Sequence, residues 1–344
     1  MHIKINKEHI VESLQKSAAI IPAKSGTAFL RSVWLQAEGN TLSIMSTDAN
    51  VEFTGTYEVE IIKSGLVGVN GQVFVDLIRR LPSGILDIML DAESTNLHIK
   101  QDRRIYKLPI SPSDWFQSFS KFPTENAIIW SGDFLGDILE KITYCINDGN
   151  NMDAMSCLYM KPIENGNIEV CGLNGHQFAM EKFNNEDLSR YLPSEGILIQ
   201  KQYINDIKKW LVDDEIEINF SDKRMFIRTL DSREMISFPK TVLEYPDYST
   251  FLSKIYEKEV NTLIFDKEEA IDALNRIIIF NTGNERCTYF KLSEKEAILT
   301  AQGQEIGSAS ESIDVEYKGA IENIAFPTQN LIDVLNHFSS KKLN

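Results

Sequence analysis

Three stretches of this chain begin a helix in the same way, and that repetition limits the fold more than any other feature. They are Asn6–Leu14, Ser131–Leu139 and Asp266–Leu274. Each opens on a short polar residue able to accept the free N–H groups of a first helical turn. Acidic residues follow, where the helix dipole favours negative charge. Apolar residues then return at helical spacing, as with Ile10, Val11, Leu14 and Ala18. A second helical pattern recurs at Gln72–Leu81, Gln202–Leu211 and Thr328–Phe338. Counted from Asn6 to Gly71, Ser131 to Gln200 and Asp266 to Pro327, the offsets between the two helices are 65, 69 and 61 residues.

Between the helices lie alternating strand-like runs broken by Gly and Asn turns. In the first copy they are Ser32–Ala37, Thr41–Ser46 and Val51–Val59, in the second Ser156–Lys161, Ile168–Gly172 and Gln177–Phe183, and in the third Thr288–Leu292, Ala297–Ala301 and Gly307–Glu316. Three further runs follow the second helix of the first copy (Leu86–Leu90, Leu97–Lys100, Ile105–Ile110) and of the second (Glu215–Phe220, Met225–Thr229, Glu234–Phe238). The third copy stops after its second helix, so by its own period it is short of one strand meander of roughly 25 residues. This predicts an apolar patch around Leu331, Val334, Leu335 and Phe338, a bare sheet edge, and lower stability than a completed version. Each copy reads as a helix followed by three strands, done twice, which is an α+β layered architecture. Boundaries near Phe122-Pro123-Thr124-Glu125 and near Tyr256–Val260 divide the chain into 1–125, 126–256 and 257–344. A repeat protein with a purely structural task gives the same pattern.

Charge narrows the function. The formal net charge is −15, unevenly spread. Residues 1–125 hold 13 basic against 14 acidic side chains, 126–256 hold 13 against 21, and 257–344 hold 9 against 15. A protein that grips DNA through phosphates needs a concentrated basic surface. This balance excludes a typical repressor but leaves room for a loose contact along one basic face. The N-terminus shows no charged segment followed by an apolar stretch, and the apolar runs are short, so a cytoplasmic chain without a membrane partner is expected. Cys145, Cys157, Cys171 and Cys287 form no CxxC and stand apart from the histidines, which points to reduced thiols and no metal site. The five histidines are scattered outside any HExxH motif. Asp213-Asp214-Glu215 reads as a solvated turn, and the Gly-rich stretch 64–71 lacks the Lys-Ser/Thr of a phosphate loop. No catalytic residue and no cofactor are expected.

Several short stretches, taken together with the threefold repeat, resemble the bacterial β sliding clamps, the processivity subunits of replicative DNA polymerases. They are the N-terminal Met-x-Ile-x-Ile strand, Thr47-Asp48, Phe74–Pro82, Leu108–Pro112, Gly175-His176, Tyr245-Pro246-Asp247-Tyr248 and Leu331-Ile332-Asp333-Val334-Leu335. The resemblance implies the DNA clamp fold and a head-to-tail homodimer closing into a ring, with helices lining the hole and sheets forming the rim. Double-stranded DNA passes through the hole without sequence preference. Polymerase subunits, the clamp loader and repair proteins dock on one face through short peptide motifs. On this reading Lys24, Arg79, Arg80, Lys201, Lys208 and Lys209 are the DNA-facing candidates.

The family's peptide-pocket loop, Thr-Asp-Gly-His-Arg-Leu, corresponds to Leu173-Asn174-Gly175-His176-Gln177-Phe178. Met155, Phe251 and Pro246 complete the implied pocket. Gln177 in place of the basic residue is expected to change polarity at the rim. Met152-Asp153-Ala154 replaces an aromatic, basic stretch, so no DNA contact is carried over there. At the ring interface the resemblance sets Arg103, Arg104 and Lys107 against Glu305 and Glu311 of a second copy. The competing expectation is a clamp-like scaffold that binds partner peptides without encircling DNA, motivated by Gln177 and the short third copy.

Overall fold

The computed structural model describes residues 1–22, 27–93, 95–148, 153–211, 214–256, 261–281, 286–303 and 306–344. Their elements follow one another in three similar series. The first runs β1 (His2–Asn6), α1 (Val11–Ile20), β2 (Ser32–Glu38), β3 (Thr41–Thr47), β4 (Glu52–Glu58), β5 (Glu60–Lys63), β6 (Gly65–Asn70), α2 (Gly71–Arg80), β7 (Ile85–Leu90), β8 (Asn96–Gln101) and β9 (Arg104–Ser111). The second holds β10 (Ile128–Ser131), α3 (Gly132–Thr143), β11 (Cys157–Pro162), β12 (Asn167–Leu173), β13 (Phe178–Asn184), α4 (Glu186–Tyr191), β14 (Ile197–Gln200), α5 (Lys201–Trp210), β15 (Glu215–Phe220), β16 (Arg224–Thr229), β17 (Glu234–Pro239) and α6 (Ser249–Tyr256). The third comprises β18 (Thr262–Asp266), α7 (Lys267–Ile277), β19 (Cys287–Leu292), β20 (Glu296–Gly303), β21 (Gly307–Lys318), β22 (Asn323–Pro327), α8 (Thr328–Asn336) and β23 (Lys342–Leu343).

The helix starts behave as their polar openings predict. Asn70 caps α2 by accepting the N–H of Val73 at 3.1 Å. Asp266 caps α7 with 3.0 and 3.2 Å bonds from the N–H groups of Glu268 and Glu269. In the first series Asn6 instead caps a short 3-10 turn over Lys7–His9, and the α-helix proper begins at Val11. Helix α1 buries Leu14, Ser17 and Ile20, and Leu14 joins Val33, Leu35, Leu42 and Ile44 of β2 and β3 in one core. Burying each such aliphatic side chain contributes about 1.5–3 kcal/mol. Gly68 of β6 lies flat against the Trp34 ring, where a Cβ would come within 2.7–2.9 Å of its carbons.

Strand order in the largest sheet is β10-β15-β16-β17-β4-β3-β2-β6-β9-β8-β7-β1-β5. The junction inside it joins two series: β17 adds antiparallel to β4, with Glu234 opposite Gly55 and Ser237 opposite Glu52. Around this seam the Glu234 carboxylate receives Lys16 Nζ at 2.6 Å and the Tyr57 hydroxyl at 2.7 Å. Arg224 donates to the carbonyls of Asn50 and Ser237 at 2.7 and 2.9 Å. The connecting segment is fixed by Asn219, whose amide donates to the carbonyls of Pro123 and Glu125.

The described residues cluster into two compact units, 1–139 with 148–171 and 180–243, and 140–147 with 172–179 and 244–344. The second unit has its own core, built from Ala273, Leu274 and Ile277 of α7, Leu299, Val315 and Tyr317 of the strands, and Ile332 and Leu335 of α8. The expectation of a bare edge is corrected in part. Strand β23 pairs with β18, Phe265 opposite Leu343 and Asp266 opposite Lys342, and α8 buries Ile332 and Leu335. The exposed patch is reduced to Phe338, which is 48% exposed. Cys145, Cys157 and Cys171 are buried and Cys287 is half-buried, and none of the four is in a disulfide. No helix among the described residues is long and apolar enough to cross a membrane.

Candidate docking and DNA-facing surfaces

The loop between β12 and β13 is a local turn with its bonds supplied by one side chain. Asn174 Oδ1 accepts the N–H groups of His176 and Gln177 at 3.0 and 2.8 Å, and Asn174 N–H donates to the Gln177 carbonyl at 3.2 Å. Gly175 sits at φ +84°, in the left-handed region a side chain would strain, which explains the glycine here. The arrangement leaves His176 exposed and Leu173 half-buried.

Phe178, next along the chain, packs its ring 5.3 Å from Tyr248 and edge-on to Phe251 at 6.3 Å. Tyr248 is buried, whereas Phe251 is 51% exposed and Pro246 is exposed beside it. Asp247 starts α6 by accepting from the backbone and hydroxyl of Ser249 and from the Thr250 hydroxyl. Those bonds hold its carboxyl below the usual carboxylate range, the Ser249 hydroxyl first. Loop and helix thus present an aromatic surface with polar edges. Met155 lies in a 3-10 turn of the first compact unit, held by Asp153, while the other seven residues of the implied pocket lie in the second.

Gln177 does something other than recolour a rim. Its amide oxygen accepts from Asn174 Nδ2 at 3.2 Å and its Nε2 donates to the Asn330 carbonyl in the first turn of α8 at 3.0 Å. It is half-buried and ties the loop to that helix. Nearby, Tyr144 stacks on His337 with centroids 4.0 Å apart. Both contacts bridge residues far apart in sequence, and neither was legible from motifs.

Of the DNA-facing candidates, Lys24 lies outside the described residues. Helix α1 packs beside α2 and also beside α5. Arg79 and Arg80 occupy the last turn of α2, and Lys208 and Lys209 the last turn of α5, all exposed. Arg79 pairs with Asp76 at 3.1 Å and Lys209 with Asp206 at 3.9 Å. Lys201 is turned to Asp148 at 2.7 Å and is only 20% exposed, so it is less available than expected.

For the interface candidates, Arg103, Arg104 and Lys107 are exposed along the turn into β9, Arg104 within 3.6 Å of Asp102. Glu305 lies outside the described residues. Glu311 already has a partner in its own unit: Arg276 grips it with contacts of 2.7, 2.9 and 3.1 Å. No group of three or more metal-binding side chains occurs among the described residues.

Comparison with known proteins agrees with this architecture. The strand and helix series define a clamp-type α+β fold, shared with solved structures of low identity. A Caulobacter crescentus pol III beta structure matches with a TM-score of 0.89 at 18% identity, covering 99% of this chain and 92% of that one. A Pseudomonas aeruginosa sliding clamp bound to griselimycin matches with a TM-score of 0.88 at 21% identity, covering 99% and 91%. Family models of the DNA polymerase III beta subunit match at both ends, the N-terminal domain over residues 1–120 and the C-terminal domain over 255–344. The beta sliding clamp of P. aeruginosa is 22% identical over all of this chain and 92% of its own length, and that of Escherichia coli 21% identical over 98% and 90%. The chain belongs to the DNA polymerase III beta subunit family, and is a non-catalytic sliding clamp of the replicative polymerase.

Proposed function

We propose that two copies of this chain close head to tail into a ring around duplex DNA, each copy contributing three clamp repeats at 1–125, 126–256 and 257–344. The observation that carries this reading is a matched set of strand edges. Within the chain, the last strand of the second repeat, β17, adds to the fourth strand of the first, β4. The first repeat's own last strand, β9, meets β6 only at Ile110 and Ser111, so its outer edge over 104–109 has no strand partner among the described residues. Strand β21 of the third repeat turns from β20 to β18 near residue 315, and its outer edge over 307–313 has no strand partner among the described residues. The same junction, made between chains, joins β9 of one copy to β21 of the next. Long open edges invite such pairing. Charge is compatible with it: Arg103, Arg104 and Lys107 flank one edge, and Glu311, held by Arg276 of its own chain, lies on the other. Exposed ion pairs contribute only about 0–1 kcal/mol each, so backbone pairing and apolar burial carry the joint.

Polymerase, clamp-loader and repair proteins dock through short peptides on the surface of Phe178, Pro246 and Phe251, with Leu173, Gly175 and His176 at its rim and Gln177 bracing the loop. The protein works in the cytoplasm. A peptide-binding scaffold that leaves DNA unencircled has less support, because both edges needed for closure are present and have no strand partner among the described residues. Sedimentation at low micromolar concentration tests the reading: a particle of twice 39.2 kDa is expected. A chain that stays monomeric over the whole micromolar range would overturn it.

A further inference from the structure

We infer that the peptide segments docking on the surface of Phe178, Pro246 and Phe251 carry a basic residue beside their apolar anchors, and that acidic flanks weaken them. The inference rests on the docking reading above and adds the charge of the partner.

Two stretches build that surface, the loop over 172–179 and α6 with its lead-in, and both lie in the second compact unit. The loop brings no Asp, Glu, Lys or Arg; its polar side chains are Asn174, His176 and Gln177. Gln177 is engaged by Asn174 and by the Asn330 carbonyl. An acidic peptide therefore meets no Lys or Arg on the loop. The lead-in brings Glu244 and Asp247, both exposed, and α6 brings Lys254.

Placement decides between the two signs. Asp247 Oδ1 accepts the N–H and the hydroxyl of Ser249, and Oδ2 accepts the Thr250 hydroxyl, so its charge is fixed between Pro246 and the first turn of α6. A charge already held in place pairs without ordering its own side chain. Lys254 lies about one turn beyond Phe251 on a long flexible stem, and pairing with it costs that stem its rotamer freedom. The ring of Phe251 acts in the same sense as the carboxylates. It is 51% exposed, and an aromatic face attracts a Lys or Arg side chain but not a carboxylate.

Helix capping is the competing reason for Asp247. It accounts for the residue and not for the sign of the surface, since Ser or Asn would cap α6 without a charge. Glu244 takes no part in the cap.

The test uses the full chain and three labelled peptides that share one Leu and one Phe anchor and differ in their flanks, which are Lys, Ser or Asp. Binding is read by anisotropy at low and at raised salt. The Lys peptide is expected to bind about threefold to tenfold more tightly than the Asp peptide, with the Ser peptide between them. Salt is expected to narrow the spread, because exposed charges are screened. In Glu244→Gln/Asp247→Asn the spread is expected to close, and in Lys254→Gln to widen. Glu244→Gln alone leaves the cap of α6 untouched and is expected to close part of it. Equal affinities of the three peptides, or a spread that survives in the double variant, would overturn the charge preference and leave the docking surface standing. Binding of none of the three, or binding undiminished by Phe251→Ala, overturns the docking reading instead, and this inference with it.

Discussion

At the scale of single residues, burial decides reactivity. Cys157 is buried beside Asp153, and desolvation first, then that carboxylate, pushes its thiol up to about 11. A raised thiol pKa keeps the protonated, unreactive form at neutral pH. Cys145 and Cys171 are buried as well, while Cys287 at the start of β19 is half-exposed. Limited alkylation of the native chain at pH 7.5, read by peptide mass, is therefore expected to label Cys287 first and the other three only under denaturant. Labelling of Cys157 at the rate of Cys287 would contradict the packing described. Gln177 teaches a different lesson. In sequence it marks a missing basic residue; in space it is a brace, because its bond goes to a backbone carbonyl 153 positions away. Nothing local in the chain encodes that partner.

Elements were legible where one physical signal dominated. The 3.6-residue spacing announced α2, α5, α7 and α8 to within a residue or two at their starts, Asp266 marking α7 as its cap, and alternation announced most strands. The strands entering each second helix were harder. Gly65–Asn70 lies in the stretch 64–71 that stood out only as Gly-rich, and Ile197–Gln200 and Asn323–Pro327 did not stand out, since four or five residues running straight into a helix show no full period. Helices α4 and α6 are too short for an apolar stripe to emerge. Their caps carry them: Asn185 accepts the Leu188 N–H at 2.9 Å, and Asp247 gathers Ser249 and Thr250. Since Asp247 has a depressed pKa when folded, its contribution is present above the ordinary carboxylate range and is lost as pH falls through the folded value. Amide exchange in α6 is expected to quicken below pH 4 before exchange in α5 does, and Asp247→Asn is expected to weaken that pH response. Equal protection of the two helices down to pH 3 would count against it.

For the whole molecule, the seam between the first two repeats is the most informative feature. Glu234 is 7% exposed and meets two partners from the first repeat, Lys16 and Tyr57. Burial, reinforced by that carboxylate, drives the Tyr57 hydroxyl well above the ordinary phenol range, so it stays a donor. Removing the carboxylate with Glu234→Ala leaves Lys16 only the exposed Glu12, 3.3 Å away. It is expected to destabilise the chain by about 3 kcal/mol in urea unfolding, and Glu234→Gln by less. A loss under about 1 kcal/mol would show the seam to be carried by its backbone ladder alone.

That ladder also bears on how the gene can be cut. The first two repeats are joined twice, once by the chain through Pro123 and Glu125 and once by the hydrogen-bonded strands β4 and β17. The covalent path is therefore redundant for holding the pair together. A chain cleaved in that connection is expected to keep the two repeats in one sheet through β4 and β17.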